Sequence, residues 1–372
     1  MERTYRSRVV VLAEASGRKR PATIRERAAA AVAPKRVARF DRRRLAASLP
    51  DGPRYRVVLV EAVEAFDAVV RWADARVVVD LDDLVSSMML LELKLQSQEV
   101  ARRRLPSGHE RSAARPREAL ERSFLWLRRL TALSIELLRW RRWEHQVARA
   151  ADLVLLSNEA DRGSFSRRAP VAVVPNGYEW SGARVGQPRG GGTPTVAFWG
   201  LMAYRPNADG ARWFAKEVLP VLRELAPHVS VKIIGKGAES LGLAETPGID
   251  VVGFVDDLPA ALQGVDVAIV PLRLAGGTRI KILEAWAWGL PVVSTTTGAH
   301  GLGVETGREL LLADDPRRFA EAIHRVLEDG ALRQTLIDTA SERVATMTWE
   351  DAEKALVAAL RGVVASARAD DG

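Results

Sequence analysis

From residue 195 onward the chain alternates between two hydrophobic periods. TVAFWG (195–200), VKIIGKG (231–237), IDVVGF (249–254), VDVAIVPL (265–272), PVVSTTT (291–297) and ELLLAD (309–314) carry apolar, often β-branched residues at consecutive positions, as strands buried on both faces do. Between them the apolar residues recur at spacings of three and four, which predicts helices over about 207–226, 257–263, 278–289, 315–328 and 331–345. Strand and helix in strict alternation make a parallel sheet covered by helices. A last helix is expected over about 349–365, opening at Trp349 after the polar turn SERVATMT.

The first half is less regular. RVVVLAEA (8–15), YRVVLVEA (55–62), ARVVVDL (75–81), DLVLLSN (152–158) and PVAVVPNG (170–177) predict a second parallel sheet, interrupted by a long helical stretch over about 117–150. PRGGGTPT (188–195) is the clearest linker. The expected units are a first α/β domain at 1–187, a second at 193–346, and a terminal helix and tail at 347–372.

Composition narrows the chemistry. At 372 residues the chain is too long for one ordinary core. Without cysteine it has no disulfide, thiolate metal site or cysteine nucleophile, and its five histidines show no metal-ligand spacing. No apolar run approaches the roughly 20 residues that span a bilayer, and the apolar stretch near the amino terminus is too short for a signal peptide. The expectation is a cytoplasmic protein, with peripheral contact at the inner membrane as an option.

Charge supplies that option. Residues 1–190 hold 37 Lys and Arg against 23 Asp and Glu, whereas the remainder holds 18 against 24. A basic first half points to an anionic partner or simply to a solvated basic face. Within it, Trp126, Leu130, Leu133, Leu137 and Trp140 recur at helical spacing among Arg128, Arg129, Arg139, Arg141 and Arg142. That stripe reads either as core contact or as a surface that docks on anionic lipid. No nucleic-acid-binding motif accompanies the charge, so nucleic acid is not an expected partner.

The most informative segment is GGTRIKILEAWAWG (276–289), which follows a buried strand. In an open parallel sheet, ligands bind beyond the carboxyl ends of the strands, where helix amino termini point. Gly276 and Gly277 let backbone N–H groups approach an anion, the helix dipole adds about half a positive charge, and Arg279 and Lys281 add two more. Cations at the positive end of a dipole are unfavourable unless an anion joins them. Glu284, one turn further on, suits a diol that donates two hydroxyl hydrogen bonds, such as a ribose. A plain alternative is an ion pair between Glu284 and Lys281.

FWGLMAYRPNADGARWFAKEVLPVL (198–222), VVGFVDDLPAAL (251–262), GGTRIKILEAWAWGLPVVSTTTGAHGL (276–302) and the Trp349 helix resemble the donor-binding domain of family-4-like GT-B glycosyltransferases. LVLLSNEADRGSF and VAVVPNGY (153–178) are more weakly similar to the end of that family's acceptor domain. The resemblance implies two Rossmann-like parallel-sheet domains facing a cleft, with the last helix crossing back to the first domain. It implies transfer of a sugar, with retention and without a metal or cofactor, from a nucleotide-sugar to a hydroxyl acceptor, lipid-linked acceptors included. Gly200, Arg205 and Asn207 would lie beside the donor diphosphate, and Gly235 and Gly237 would line the nucleotide cleft. Phe254 and the backbone of Val255 would meet the base. Thr278, Arg279 and Ile280 would offer N–H groups to the phosphates with Lys281 nearby, and Glu284 would hold the ribose.

Three departures from the family pattern bear on this. Of the usual two glutamates separated by seven residues, the second is Glu284 and the first position is Gly276. Where the family often has a histidine after an acceptor-domain strand, VVVDLDDL (77–84) carries Asp82. The family's opening strand and Gly-rich loop have no counterpart, since Gly17 is the one glycine before Gly52, so the first domain is expected to be short by about one βαβ unit. Two rival readings remain. Asp80-x-Asp82 is the arrangement that holds a divalent ion against a diphosphate in metal-dependent sugar transferases of the other common fold. A shortened first domain would also suit a relative that binds a nucleotide-sugar or a partner without turnover.

Overall fold

The computed structural model describes residues 57–61, 66, 76–82, 84–104, 116–165, 169–178, 185, 192–274 and 280–370. The strand expected over 8–15 and the glycine-rich segment 276–279 lie outside these residues.

The first domain is a parallel sheet of β1 (Val57–Val60), β2 (Arg76–Asp80), β3 (Leu153–Leu156) and β4 (Val171–Val173), paired in that order. Period-two alternation sends its side chains to two separate cores. Val77, Val79, Val154 and Leu156 point to one face, where α2 (Pro116–Ala150) covers them with Trp140, Trp143 and Val147. Val78, Leu153 and Leu155 point to the other, where the terminal helix α9 (Trp349–Asp370) brings Leu356, Leu360 and Val363. The last helix thus crosses back from the second domain to the first.

Helix α1 (Val85–Arg104) fills the crossover between β2 and β3 together with α2. Its first turn is capped from a distance. The buried Glu144 carboxylate of α2 accepts from the Ser86 backbone N–H at 3.0 Å and from its hydroxyl at 2.5 Å. A helix leaves its first N–H groups without intrahelical partners, and an anion suits that end of the dipole. Burial raises the Glu144 pKa above the usual carboxylate range, opposed by the Ser86 hydrogen bonds. The native state therefore holds this proton more tightly than the unfolded chain. The group's contribution to stability is largest at low pH and shrinks as pH rises from the ordinary value towards the raised one. Glu144→Ala, which orphans the Ser86 N–H, should cost about 2 kcal/mol. Glu144→Gln should cost less and flatten that pH dependence. Thermal unfolding across the acidic range checks both.

The second domain has six parallel strands: β5 (Thr195–Trp199), β6 (Ser230–Ile234), β7 (Ile249–Gly253), β8 (Val267–Val270), β9 (Val292–Ser294) and β10 (Leu311–Leu312), in the order β10-β9-β8-β5-β6-β7. Strand β10 keeps only two residues of the run expected over 309–314. The helix expected over 207–226 is three pieces: α3 (Arg205–Trp213), a π turn at Phe214–Val218, and α4 (Leu219–Leu225). Pro220 is the physical reason, because it has no N–H for the i−4 carbonyl and its ring crowds that turn. The remaining helices are α5 (Leu258–Ala261), α6 (Ile280–Ala287), α7 (Pro316–Glu328) and α8 (Gly330–Val344). Two aspartates start the last two, Asp315 accepting from the N–H groups of Arg317 and Arg318 and Asp329 from that of Leu332.

Candidate active site

The strand order of the second sheet reverses at one place. From β5 the chain winds outward through β6 and β7, then returns to lay β8 on the other side of β5. The carboxyl ends of β5 and β8 therefore splay apart, and the helices that follow them, α3 and α6, point their amino ends into one crevice. Asn207 on α3 and Lys281 on α6 meet there. Lys281 Nζ donates to Asn207 Oδ1 at 2.6 Å and stands 5.1 Å from the centre of the Phe198 ring. Asn207 is buried and fixed by its other end, its amide donating to the Leu201 carbonyl at 2.9 Å. Gly200, just after β5, leaves room beside this pair: a Cβ there would lie 3.0 Å from the Asn207 amide nitrogen and 3.5 Å from Lys281 Nζ.

Glu284 sits one turn behind Lys281. The indole N–H of Trp199, at the end of β5, donates to Glu284 Oε2 at 2.7 Å, leaving Oε1 for a further donor. Burial raises the Glu284 pKa above its ordinary value, while the Trp199 hydrogen bond and the Lys281 charge pull the other way. The sequence suggested Lys281 as a partner for this carboxylate. Trp199 is its hydrogen-bond partner instead, a residue that strand periodicity marks only as core.

The remaining candidates spread along the same edge. Gly235 and Gly237 follow β6, with Gly235 packed against the Gly200 backbone. Phe254 follows the edge strand β7 and is 67% exposed, an unusual position for a phenylalanine, whereas Val255 packs partly buried against the core. Ile280 opens α6 and is 42% exposed. Gly276, Gly277, Thr278 and Arg279 lie outside the described residues.

Arg205 is at the head of α3, but its guanidinium turns to the first domain, where it meets both Glu92 oxygens of α1 at 2.7 and 2.6 Å. The Tyr204 hydroxyl lies 3.9 Å from the Met88 sulfur beside it. A second junction joins His300 to Asp161 at 3.4 Å, next to Gly301, which packs on Asn158. The two junctions involve segments that follow β2 and β3 on one side and β5 and β9 on the other, so the carboxyl edges of the two sheets face each other. Side-chain pairs between domains follow no sequence period, which is why these were not predicted.

Asp82 lies on the facing edge of the first sheet, exposed, with Asn176 donating to it at 3.4 Å. Asp80, at the end of β2, is pushed up to about 6 by burial first and then by Asp82, with Glu61 adding to it. Among the described residues no cluster of three acidic or histidine side chains has the geometry to hold a metal ion.

Comparison with known proteins agrees with this geometry. A family profile described as "Glycosyl transferases group 1" matches residues 193–329. A D-inositol 3-phosphate glycosyltransferase of Nocardioides sp. is 37% identical over 243 residues, 56% of this chain and 53% of that protein. A phosphatidyl-myo-inositol mannosyltransferase of Mycolicibacterium smegmatis is 32% identical over 218 residues, 56% of this chain and 51% of that one. The chain thus spans little more than half the length of these curated relatives. Among solved structures, sucrose-phosphate synthase from Thermosynechococcus elongatus superposes with a TM-score of 0.58 at 17% identity, covering 84% of this chain and 74% of the other. Anabaena HepE in complex with UDP gives 0.56 at 15% identity, covering 83% and 79%. Two parallel-sheet domains opposed at their carboxyl edges and a terminal helix that returns to the first give the chain the GT-B fold of these structures, and its second domain carries the match to the group 1 glycosyl transferases over 193–329.

Proposed function

We propose that this chain moves a sugar from a nucleoside-diphosphate donor to a hydroxyl acceptor, with retention at the anomeric carbon and no metal. The observation that carries the proposal is the convergence of Lys281, Asn207 and Glu284 at the crevice between β5 and β8. Lys281, held by Asn207, would meet the diphosphate as it gains negative charge on leaving. The N–H groups of 278–280 and the Arg279 guanidinium would share that charge. Preorganised donors of this kind act electrostatically and do not need to reorganise at the moment of bond cleavage. Glu284, oriented by Trp199, would accept from the ribose hydroxyls, and Phe254 would stack against the base. The acceptor would enter from the side of Asp82. The relatives' names speak of inositol 3-phosphate and phosphatidyl-myo-inositol, so phosphorylated polyols, free or in lipid, are the first acceptors to try.

The test incubates the purified chain with UDP-, GDP-, ADP- and dTDP-sugars, these acceptors and EDTA. The expected result is one nucleoside diphosphate released per glycosylated product, unaffected by the chelator. Activity abolished by EDTA and restored by Mn²⁺ would instead transfer the leaving-group role to Asp80 and Asp82. Nucleotide binding without release from any donor would favour the non-catalytic reading. Glu284→Gln should weaken nucleotide binding about tenfold or more, the worth of a hydrogen bond to a charged acceptor. In the wild type, binding should fall as pH drops through the raised pKa of Glu284, because the carboxylate is the acceptor.

A further inference from the structure

Helix α2 has two apolar faces, and the fold uses one. Among the described side chains, the buried ones lie in its second half, at Leu137, Trp140, Trp143, Glu144, Val147 and Ala148. On the opposite arc, Phe124, Leu127, Ile135 and Leu138 recur at helical spacing and are 61%, 57%, 46% and 66% exposed. A helix needs one apolar stripe to fold onto a core, and a second stripe pointing away from it calls for another occupant. The stripe quoted from the sequence, Trp126 to Trp140, is the inner one; the outer one was hidden in the same run.

Charge indicates the occupant. Arg128, Arg141, Arg142 and Arg149 are exposed on and beside this arc, with Arg128 5.9 Å from the centre of the Phe124 ring. Between 124 and 150 the acidic residues are Glu136, which pairs with Arg139 at 3.4 Å, and Glu144, which is buried against Ser86. A second copy docked face to face would set arginine against arginine, whereas an anionic leaflet offers hydrocarbon for the stripe and headgroup charge for its flanks. The position fits as well. α2 ends just before β3, at the starting edge of the sheet, and spans about 52 Å against about 17 Å for a five-residue strand. Its first half therefore extends past the sheet's carboxyl edge, towards the side on which the cleft opens.

We propose that the outer face of α2, centred on Phe124, Leu127, Ile135 and Leu138 and flanked by arginines, is the surface by which this protein lies on an anionic lipid leaflet. The proposal is independent of the chemistry in the cleft. It is tested by sedimenting the full chain with vesicles of phosphatidylcholine alone or mixed equally with phosphatidylglycerol, at low and high salt. The wild type should sediment with the anionic vesicles, release them at high salt and ignore the neutral ones. Leu127→Ser with Leu138→Ser should weaken binding about tenfold or more. Arg128→Gln, Arg141→Gln and Arg142→Gln together should weaken it by about two orders of magnitude. These positions are exposed, so unchanged thermal unfolding should show that the variants fold. Absence of binding to anionic vesicles, equal binding to neutral ones, or binding that survives both sets of substitutions would overturn the assignment. So would a wild-type dimer that the double leucine variant splits while neither protein sediments.

Discussion

Lys281→Ala is expected to lower turnover by about a hundredfold or more while weakening nucleotide binding much less. The ammonium is not a mobile surface charge. Asn207 holds it at 2.6 Å, Asn207 is itself anchored on the Leu201 carbonyl, and the Phe198 ring lies against it. A cation fixed at that spot interacts most strongly when the diphosphate has gained its full leaving-group charge, so its removal acts on the transition state more than on the bound donor. Steady-state kinetics with parallel calorimetry separate the two effects. Equal losses in binding and turnover would make Lys281 an anchor for the ground state alone.

Gly235→Ala is the second large effect, and it acts through the backbone. Gly235 has φ of 131°, in the region that L side chains rarely adopt, and an added Cβ would overlap the Gly200 carbonyl oxygen. The two glycines are tied into the sheet as well, Gly200 N–H donating to the Ile234 carbonyl at 3.0 Å and Gly235 N–H to the Gly253 carbonyl at 2.6 Å. The first bond ties the end of β5 to β6, and the second ties the end of β6 to β7. The substitution should cost about 3 kcal/mol or more, through strain and overpacking together, and should abolish nucleotide binding by displacing Gly200 from beside Asn207 and Lys281. Gly330→Ala is the control, because a Cβ there meets nothing within 4 Å, and it should leave thermal unfolding nearly unchanged.

Much of the architecture is legible from period alone. Consecutive apolar, β-branched residues such as VAIV at 267–270 suit a strand covered on both faces, and the structure buries all four. For the candidate site, the sequence asks for an anion beside Lys281 at the positive end of the α6 dipole, and the structure adds a neutral neighbour that spacing did not indicate, Asn207. What escaped depends on tertiary partners. Nothing in the spacing ties Arg205 to Glu92 or Trp199 to Glu284, because each pair joins residues more than 80 positions apart. In α2, two apolar arcs share one run, and only packing decides which of them meets the core. Arg205 was expected beside the diphosphate. Its exposed pairing with Glu92, a contact of the kind worth less than about 1 kcal/mol, ties the two domains at the cleft and adds little to stability.

The central claim is that the crevice between β5 and β8 grips a nucleoside diphosphate. Calorimetric titration of the intact protein with UDP, GDP, ADP and dTDP, in the presence of EDTA, tests it most directly. Saturable one-to-one binding of at least one of them is the predicted result. Absence of binding for all four would leave Lys281, Asn207 and Glu284 without the ligand their arrangement implies and would contradict the account.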